Sequence, residues 1–275
     1  MELNWFEHLL YGLISGFSEL LPISSVAHQT VFTTLAGGRD YPWLRLACHL
    51  GTLLALVMVY IPTLSRMRRE RRIARTPKKR RRRQPDFATV MEIKVFRTVA
   101  ISMLVCFAGY GYVYNLYERL WVLAIFLGLN GIVLYTPQFL PGANKRAESL
   151  SALDSSVIGI SGGIGIVPGF SRIGLATGAA QIRGTDRQYA VEIALMTSIP
   201  VLILYCVLDF LAGSAAAVTI SALLIFGCLT AGLAAFIAAY FAIALVRFLA
   251  VKIGFFGFAY YCWGLAMFTL IIYLI

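Results

Sequence analysis

The 275-residue sequence predicts an all-α integral membrane protein with six transmembrane helices and two re-entrant, broken-helix pairs arranged as an inverted repeat. Three observations carry that expectation. The composition is 59% hydrophobic with a mean hydropathy of +0.78, and apolar runs long enough to cross a bilayer core recur along the chain. Two segments, Tyr11 to Gln29 and Ser161 to Gly178, are apolar but interrupted by Gly, Ser and Pro, which suits half-helices meeting at membrane depth better than one straight span. These segments also share a layout: a Ser-Gly pair begins seven residues before a proline (Ser15 before Pro22, Ser161 before Pro168), and a serine follows three after it (Ser25, Ser171). Such paired interruptions point to an inverted repeat with its site at the repeat interface.

Taken in order, residues 5 to 36 form the first broken pair, where Pro22 cannot donate a helical hydrogen bond and Ser24 or Ser25 caps the next helix start. Trp43 to Leu64 reads as a full span ending at Pro62 and a basic block. Phe96 to Tyr114 and Leu120 to Leu140 are the next two spans, joined through Asn115 to Arg119. A polar stretch, Gly142 to Asp154, precedes the second broken pair at 155 to 183, and spans follow near Tyr189 to Leu211, Ile220 to Leu245 and Ile253 to Ile275. One membrane domain, residues 1–275, therefore divides into a first repeat near 1–140 and a second near 150–275. Three crossings per half is an odd number, so the second half must enter from the opposite side.

Charge orients this map. Of the 24 Lys and Arg residues, 14 lie between Arg66 and Arg97 with only three acids, so this block carries the whole net charge of +11. The positive-inside rule makes the basic loop at 65–95 cytoplasmic. Lys145, Arg146, Arg183, Arg187, Arg247 and Lys252 then also fall inside, Arg39, Arg45 and Arg119 outside, and both termini are external to the cell membrane. Membrane lipids with anionic headgroups are the partner this loop implies. Polybasic runs also bind nucleic acid, but between two spans they read as a topological signal, and no nucleic-acid partner is expected. The five cysteines stand singly with no CxxC spacing, which argues against disulfides or zinc. The acidic start, Glu2 and Glu7, lacks the basic opening of a cleavable signal peptide.

Chemistry concentrates at the two interruptions. Glu19, Ser24, Ser25 and His28 surround Pro22, and an ionisable side chain at membrane depth reads as functional. Arg172 follows Pro168-Gly169-Phe170-Ser171 at an expected helix start, where free amides and a guanidinium together make an anion site that suits phosphate. The alternative is a structural ion pair of Arg172 with Glu19 or Glu192. Glu19 and His28 are candidates for acid, base or nucleophile, and Ser24 and Ser25 for phosphate ligands, with Ser25 alternatively the nucleophile. His49 has no polar company in sequence and reads as structural, Glu192 as a partner within the second half, and Asp209 as hydrated at a span end.

The runs Glu19-Leu-Leu-Pro-Ile-Ser-Ser25 with His28, His49-Leu-Gly-Thr-Leu-Leu-Ala55, Pro168-Gly-Phe-Ser-Arg172 and Glu192 to Pro200 resemble the undecaprenyl-diphosphate phosphatases of the bacitracin-resistance type. The likeness runs end to end, with a weaker echo in Phe258, Tyr260 and Gly264. It implies a membrane hydrolase that releases phosphate from a polyprenyl diphosphate lipid at a site reached from the outer face. Glu19, Ser25, His28 and Arg172 would be the catalytic residues; Ser15, Ser24, Gly169, Ser171 and Thr177 would bind substrate. A homodimer is a candidate assembly. The chain departs from the family pattern at four places: Ser15 replaces the first of two acids, Ile173 a serine, Ala176 a threonine (with Thr177 one place late), and Cys262 an arginine. Losing one acid bears on divalent-cation dependence, so Mg²⁺ or Ca²⁺ would rest on Glu19 alone. The alternative function is a carrier of the same fold that binds a lipid phosphate or another anion without hydrolysing it.

Overall fold

A computed structural model describes residues 4–38, 41–113, 116–117, 119–142, 144–215 and 221–275, and these are helical almost throughout. Glu2, Arg39, Tyr114, Asn115 and Ile220, which figure in the sequence map, lie outside the described residues. Helix α1 (Trp5–Leu20) starts on a capping box in which the Asn4 side chain accepts from the Glu7 amide and Glu7 from the Asn4 amide. It stops before Pro22. Helix α2 (Ser25–Ala36) restarts the chain from Ser24, whose hydroxyl accepts from the Ala27 amide. The second pair is built alike. Helix α7 (Ala152–Ile164) begins on a Ser151/Asp154 capping box, and helix α8 (Arg172–Ile182) begins on Ser171, whose hydroxyl accepts from the Gly174 amide.

Helix α3 (Pro42–Arg75) does not end at Pro62 as the sequence reading expects. Proline removes one hydrogen bond, but the Arg- and Glu-rich sequence beyond it favours helix and carries α3 on for 13 residues. At 1.5 Å per residue its 34 residues extend about 51 Å, well beyond a hydrocarbon core of about 30 Å, so its basic end projects from the membrane. The expected 65–95 loop shrinks accordingly to residues 76–86, with a 3-10 turn at Lys78–Arg80. Buried Glu70 pins it by pairing with Arg83 and accepting from the Asp86 amide at 3.0 Å. Helix α4 (Phe87–Cys106) starts nine residues before the expected span, then passes through a 3-10 turn into the short α5 (Tyr110–Val113).

The remaining helices are α6 (Leu120–Tyr135), α9 (Arg187–Ala215), α10 (Ala222–Lys252) and α11 (Phe256–Leu274). Among the described residues, five helices are long and apolar enough to cross a membrane: α3, α6 with its 3-10 extension to Phe139, α9, α10 and α11. The sixth expected span, α4, holds Glu92, Lys94 and Arg97 within its 20 residues and falls outside that set. Large apolar side chains point outward along the long helices, with Leu229 68% and Phe241 64% exposed on α10, as lipid-facing positions require.

Helix pairing is ordered. Helix α1 packs on α10 and α7 packs on α4; α3 lies against α9, and α6 against α11. The first two contacts use the same device. Gly12 and Gly16 of α1 meet the backbone of Ala231 and Ala235, and Gly159 and Gly163 of α7 meet Val99 and Met103, so a side chain at any of these glycines would collide with the facing helix.

Candidate active site

Where two helices break away from the surface, the backbone groups freed at the break must find protein partners. Asn130 of α6, fully buried, supplies them to both breaks at once. Its side-chain oxygen accepts from the Ser171 amide at 3.0 Å, and its amide nitrogen donates to the Pro22 carbonyl at 3.2 Å. The Ser171 hydroxyl completes the junction by donating to the Leu21 carbonyl at 3.1 Å. The sequence reading passes over Asn130, although a lone amide in the apolar run Leu120 to Tyr135 is the signal for it. Gly169 is held at φ +96°, and a Cβ there would lie 2.6 Å from the Leu123 carbonyl; the turn accounts for this glycine without a ligand.

The junction aims two helix starts at one carboxylate. Arg172, the first residue of α8, places Nη2 2.7 Å from Glu19 Oε1, and Ser25, the first residue of α2, donates its hydroxyl to Glu19 Oε2. The expected Arg172–Glu19 pair is therefore present, but it uses one nitrogen of three. Arg172 is only 6% exposed, and its Nε and Nη1 are buried without a hydrogen-bond partner. Leaving charged donors unpaired is costly, so the guanidinium is set for an anion. It faces a polar cavity lined also by Glu19, Ser25, Gln29 and Ser171, and the first-turn amides of α2 and α8 add the positive ends of two helices.

Two further residues meet at this cavity. His49, which has no polar company in sequence, lines it with Nδ1 2.7 Å from Asp209 Oδ2, its ring stacked on Tyr205 at 5.0 Å between centroids. Asp209 is not hydrated at a span end: it is 3% exposed, and its other oxygen accepts from Arg45 Nε at 3.0 Å. These residues lie about 160 positions apart in the chain, so no local pattern announces them. Glu192 pairs with Arg247 of the second half, as expected, and also accepts from Tyr60 of the first half at 2.6 Å.

Other candidates lie away from the cavity. His28 donates from Nδ1 to the Ser24 carbonyl at 2.6 Å, meets the Tyr261 hydroxyl at Nε2 at 2.6 Å and stacks on that ring. It borders an apolar groove with Phe17, Leu21, Leu249 and Phe258 on the far side of Ile23, which lines both spaces. Ser24 is spent on capping. Thr177, fully buried, donates to the Ile173 carbonyl of its own helix at 2.7 Å and does not reach the cavity. Ser15 accepts from Gln29 Nε2 at 3.0 Å, one side chain behind the cavity wall.

Each Glu19 oxygen accepts one hydrogen bond, from Arg172 or Ser25, and each Asp209 oxygen one, from Arg45 or His49, so a Mg²⁺ or Ca²⁺ ion at either carboxylate would share oxygens that already hold a donor. Among the described residues, no group of three or more His, Cys, Asp or Glu converges as a metal site.

Comparison with known proteins gives a consistent picture. The family model described as bacitracin resistance protein BacA matches residues 8–268. An undecaprenyl-diphosphatase of Carboxydothermus hydrogenoformans is 26% identical over 275 residues, covering 98% of each chain. One from Desulfatibacillum aliphaticivorans is 26% identical over 269 residues (95% of this chain, 96% of that one), and undecaprenyl-diphosphatase 3 of Bacillus cereus is 26% identical over 280 residues (98% and 97%).

Proposed function

The chain belongs to the bacitracin resistance protein BacA family, and from that membership we propose that it is an undecaprenyl-diphosphatase of the cell membrane, a multi-pass hydrolase that converts undecaprenyl diphosphate to the monophosphate and inorganic phosphate. The observation that carries the reading is the buried Arg172 guanidinium, with two unpartnered nitrogens beside a serine already hydrogen-bonded to a carboxylate.

The terminal phosphoryl group sits on Arg172 Nε and Nη1 and the first-turn amides of α2 and α8. Ser25 Oγ attacks its phosphorus while its proton passes to Glu19; the O–P bond forms, the bridging P–O bond breaks, and undecaprenyl monophosphate leaves with the electron pair. Water then attacks the phosphoserine, and Ser25 regains its proton from Glu19. Ser25 is preferred to His28 as nucleophile because the serine faces the cavity and both His28 nitrogens are engaged elsewhere. The prenyl tail extends past Ile23 into the apolar groove beside Phe17, Leu249, Phe258 and Tyr261, which opens toward lipid. No step is routed through a metal.

The finer architecture belongs to the same reading: six spans, counting α4, with α1–α2 and α7–α8 as the re-entrant pairs of an inverted repeat. The matching contacts α1 on α10 and α7 on α4, each through a glycine pair, support it. Arg45, Tyr110 and Tyr117 put the cavity toward the end of the bundle opposite the basic extension, which is the outer face if that extension is cytoplasmic. The carrier alternative is not favoured by the family. The test is phosphate release from undecaprenyl diphosphate by protein purified into lipid nanodiscs, with Ser25→Ala and Glu19→Gln as controls. Release that both substitutions abolish is expected; a wild type that binds the lipid and releases nothing would establish the carrier instead.

A further inference from the structure

The mechanism above leaves one proton unassigned, that of the water that hydrolyses the phosphoserine, and Glu19 is already carrying the proton of Ser25. We propose that His49, oriented by Asp209, is the general base for that water. Geometry and chemistry converge on it. The Nδ1–H of His49 donates to Asp209 Oδ2 at 2.7 Å, which fixes the tautomer and leaves Nε2 as the basic nitrogen. Asp209 is itself fixed by Arg45 Nε at 3.0 Å, and the imidazole is held flat on Tyr205, so the ring cannot turn without breaking both contacts. His49 lines the same cavity as Ser25 and Arg172, from α3 rather than α2 or α8. A carboxylate–histidine pair of this kind, buried among apolar spans, is more than α3 and α9 need in order to pack, since apolar residues would join them without desolvating charge.

The inference rests on the phosphatase reading and completes its balance. Nε2 takes one proton from the attacking water, the water oxygen bonds to phosphorus, the Ser25 O–P bond breaks, and Ser25 recovers its proton from Glu19. His49 afterwards releases the water's proton to solvent. Asp209 is a positioning residue. The charged groups that face His49 are Asp209 from α9, Arg45 from its own helix, Glu19 from α1 and Arg172 from α8; the phenols of Tyr205, Tyr110 and Tyr117 line the same space.

A general base must be neutral, so the activity of wild type should fall on the acidic side as His49 takes a proton. His49→Gln should lower kcat by about 10²- to 10⁴-fold and abolish that acidic limb. Asp209→Asn removes a carboxylate that favours the imidazolium, so it should move the limb to lower pH, a change that a purely structural role would not produce. Both variants are assayed as full-length protein in nanodiscs on undecaprenyl diphosphate across pH. An active wild type whose limb is unchanged in His49→Gln removes this inference alone. If His49→Gln proves inactive at every pH, Asp209→Asn decides, and an unmoved limb overturns the proposal. A wild type that releases no phosphate removes the function reading, and this inference with it.

Discussion

Replacing Arg172 by lysine separates its two roles. In the protein Nη2 holds Glu19 at 2.7 Å, while Nε and Nη1 are buried without a partner in a residue that lines the cavity. Lysine keeps the charge and can keep the contact with Glu19, but its single ammonium cannot also present two donors in the plane of a phosphoryl group. Each hydrogen bond to a charged group contributes about 1.5–3 kcal/mol, so losing both donors costs about 3–6 kcal/mol of transition-state stabilisation, or roughly 10²- to 10⁴-fold in kcat/KM. Thermal unfolding of the variant should stay close to that of wild type, because the tie between the halves survives. Hydrolysis of undecaprenyl diphosphate and the unfolding temperature are measured on the same preparation. A kcat/KM within threefold of wild type would refute the reasoning, and so would a loss of activity that follows the loss of stability step for step, since Arg172 would then be a structural tie.

Two further outcomes are expected. Asn130→Ala should strip partners from the Ser171 amide and the Pro22 carbonyl, costing about 1–3 kcal/mol for each group and lowering the unfolding temperature together with activity; an unaltered unfolding temperature would mean that the junction is held by other contacts. Lys79→Cys, in the exposed turn beyond α3, should react with an impermeant thiol reagent only after cells are opened, and labelling in intact cells would invert the membrane orientation.

The parts of this molecule that were legible in the sequence are those set by local chemistry. Pro22 and Pro168, with serines just beyond them, mark both breaks, and Glu19, Ser25 and Arg172 are conspicuous because charge and hydroxyl groups are rare in apolar runs. What was hidden depends on which side of a helix faces inward. Spans such as α6 and α10 are apolar all round, so periodicity does not tell a lipid-facing side from a packed one. That is why Asn130 went unnoticed, and why His49 and Asp209 looked incidental until α3 and α9 brought them together. The end of α3 was misjudged for a different reason: proline stops a helix only where the lost bond is not outweighed, and the arginine-rich turns beyond Pro62 are good helix formers.

The two broken segments are informative where their shared spacing slips. Spacing from the prolines aligns Ser25 with Ser171, but the capping residues are Ser24 and Ser171, so the first helical residue Ser25 stands opposite Arg172. Both of these first residues bind Glu19, one at each oxygen. Two similar breaks thus bring two different groups, a hydroxyl and a guanidinium, to one carboxylate. The position matching Glu19, three residues before the second proline, is Gly165, and a Cβ there would lie 2.5 Å from the Cα of Arg172. An acid cannot be repeated at that place without displacing the arginine. The two breaks differ in this one position, an acid in the first and a glycine in the second, and the backbone of Arg172 occupies the space that a side chain at Gly165 would need.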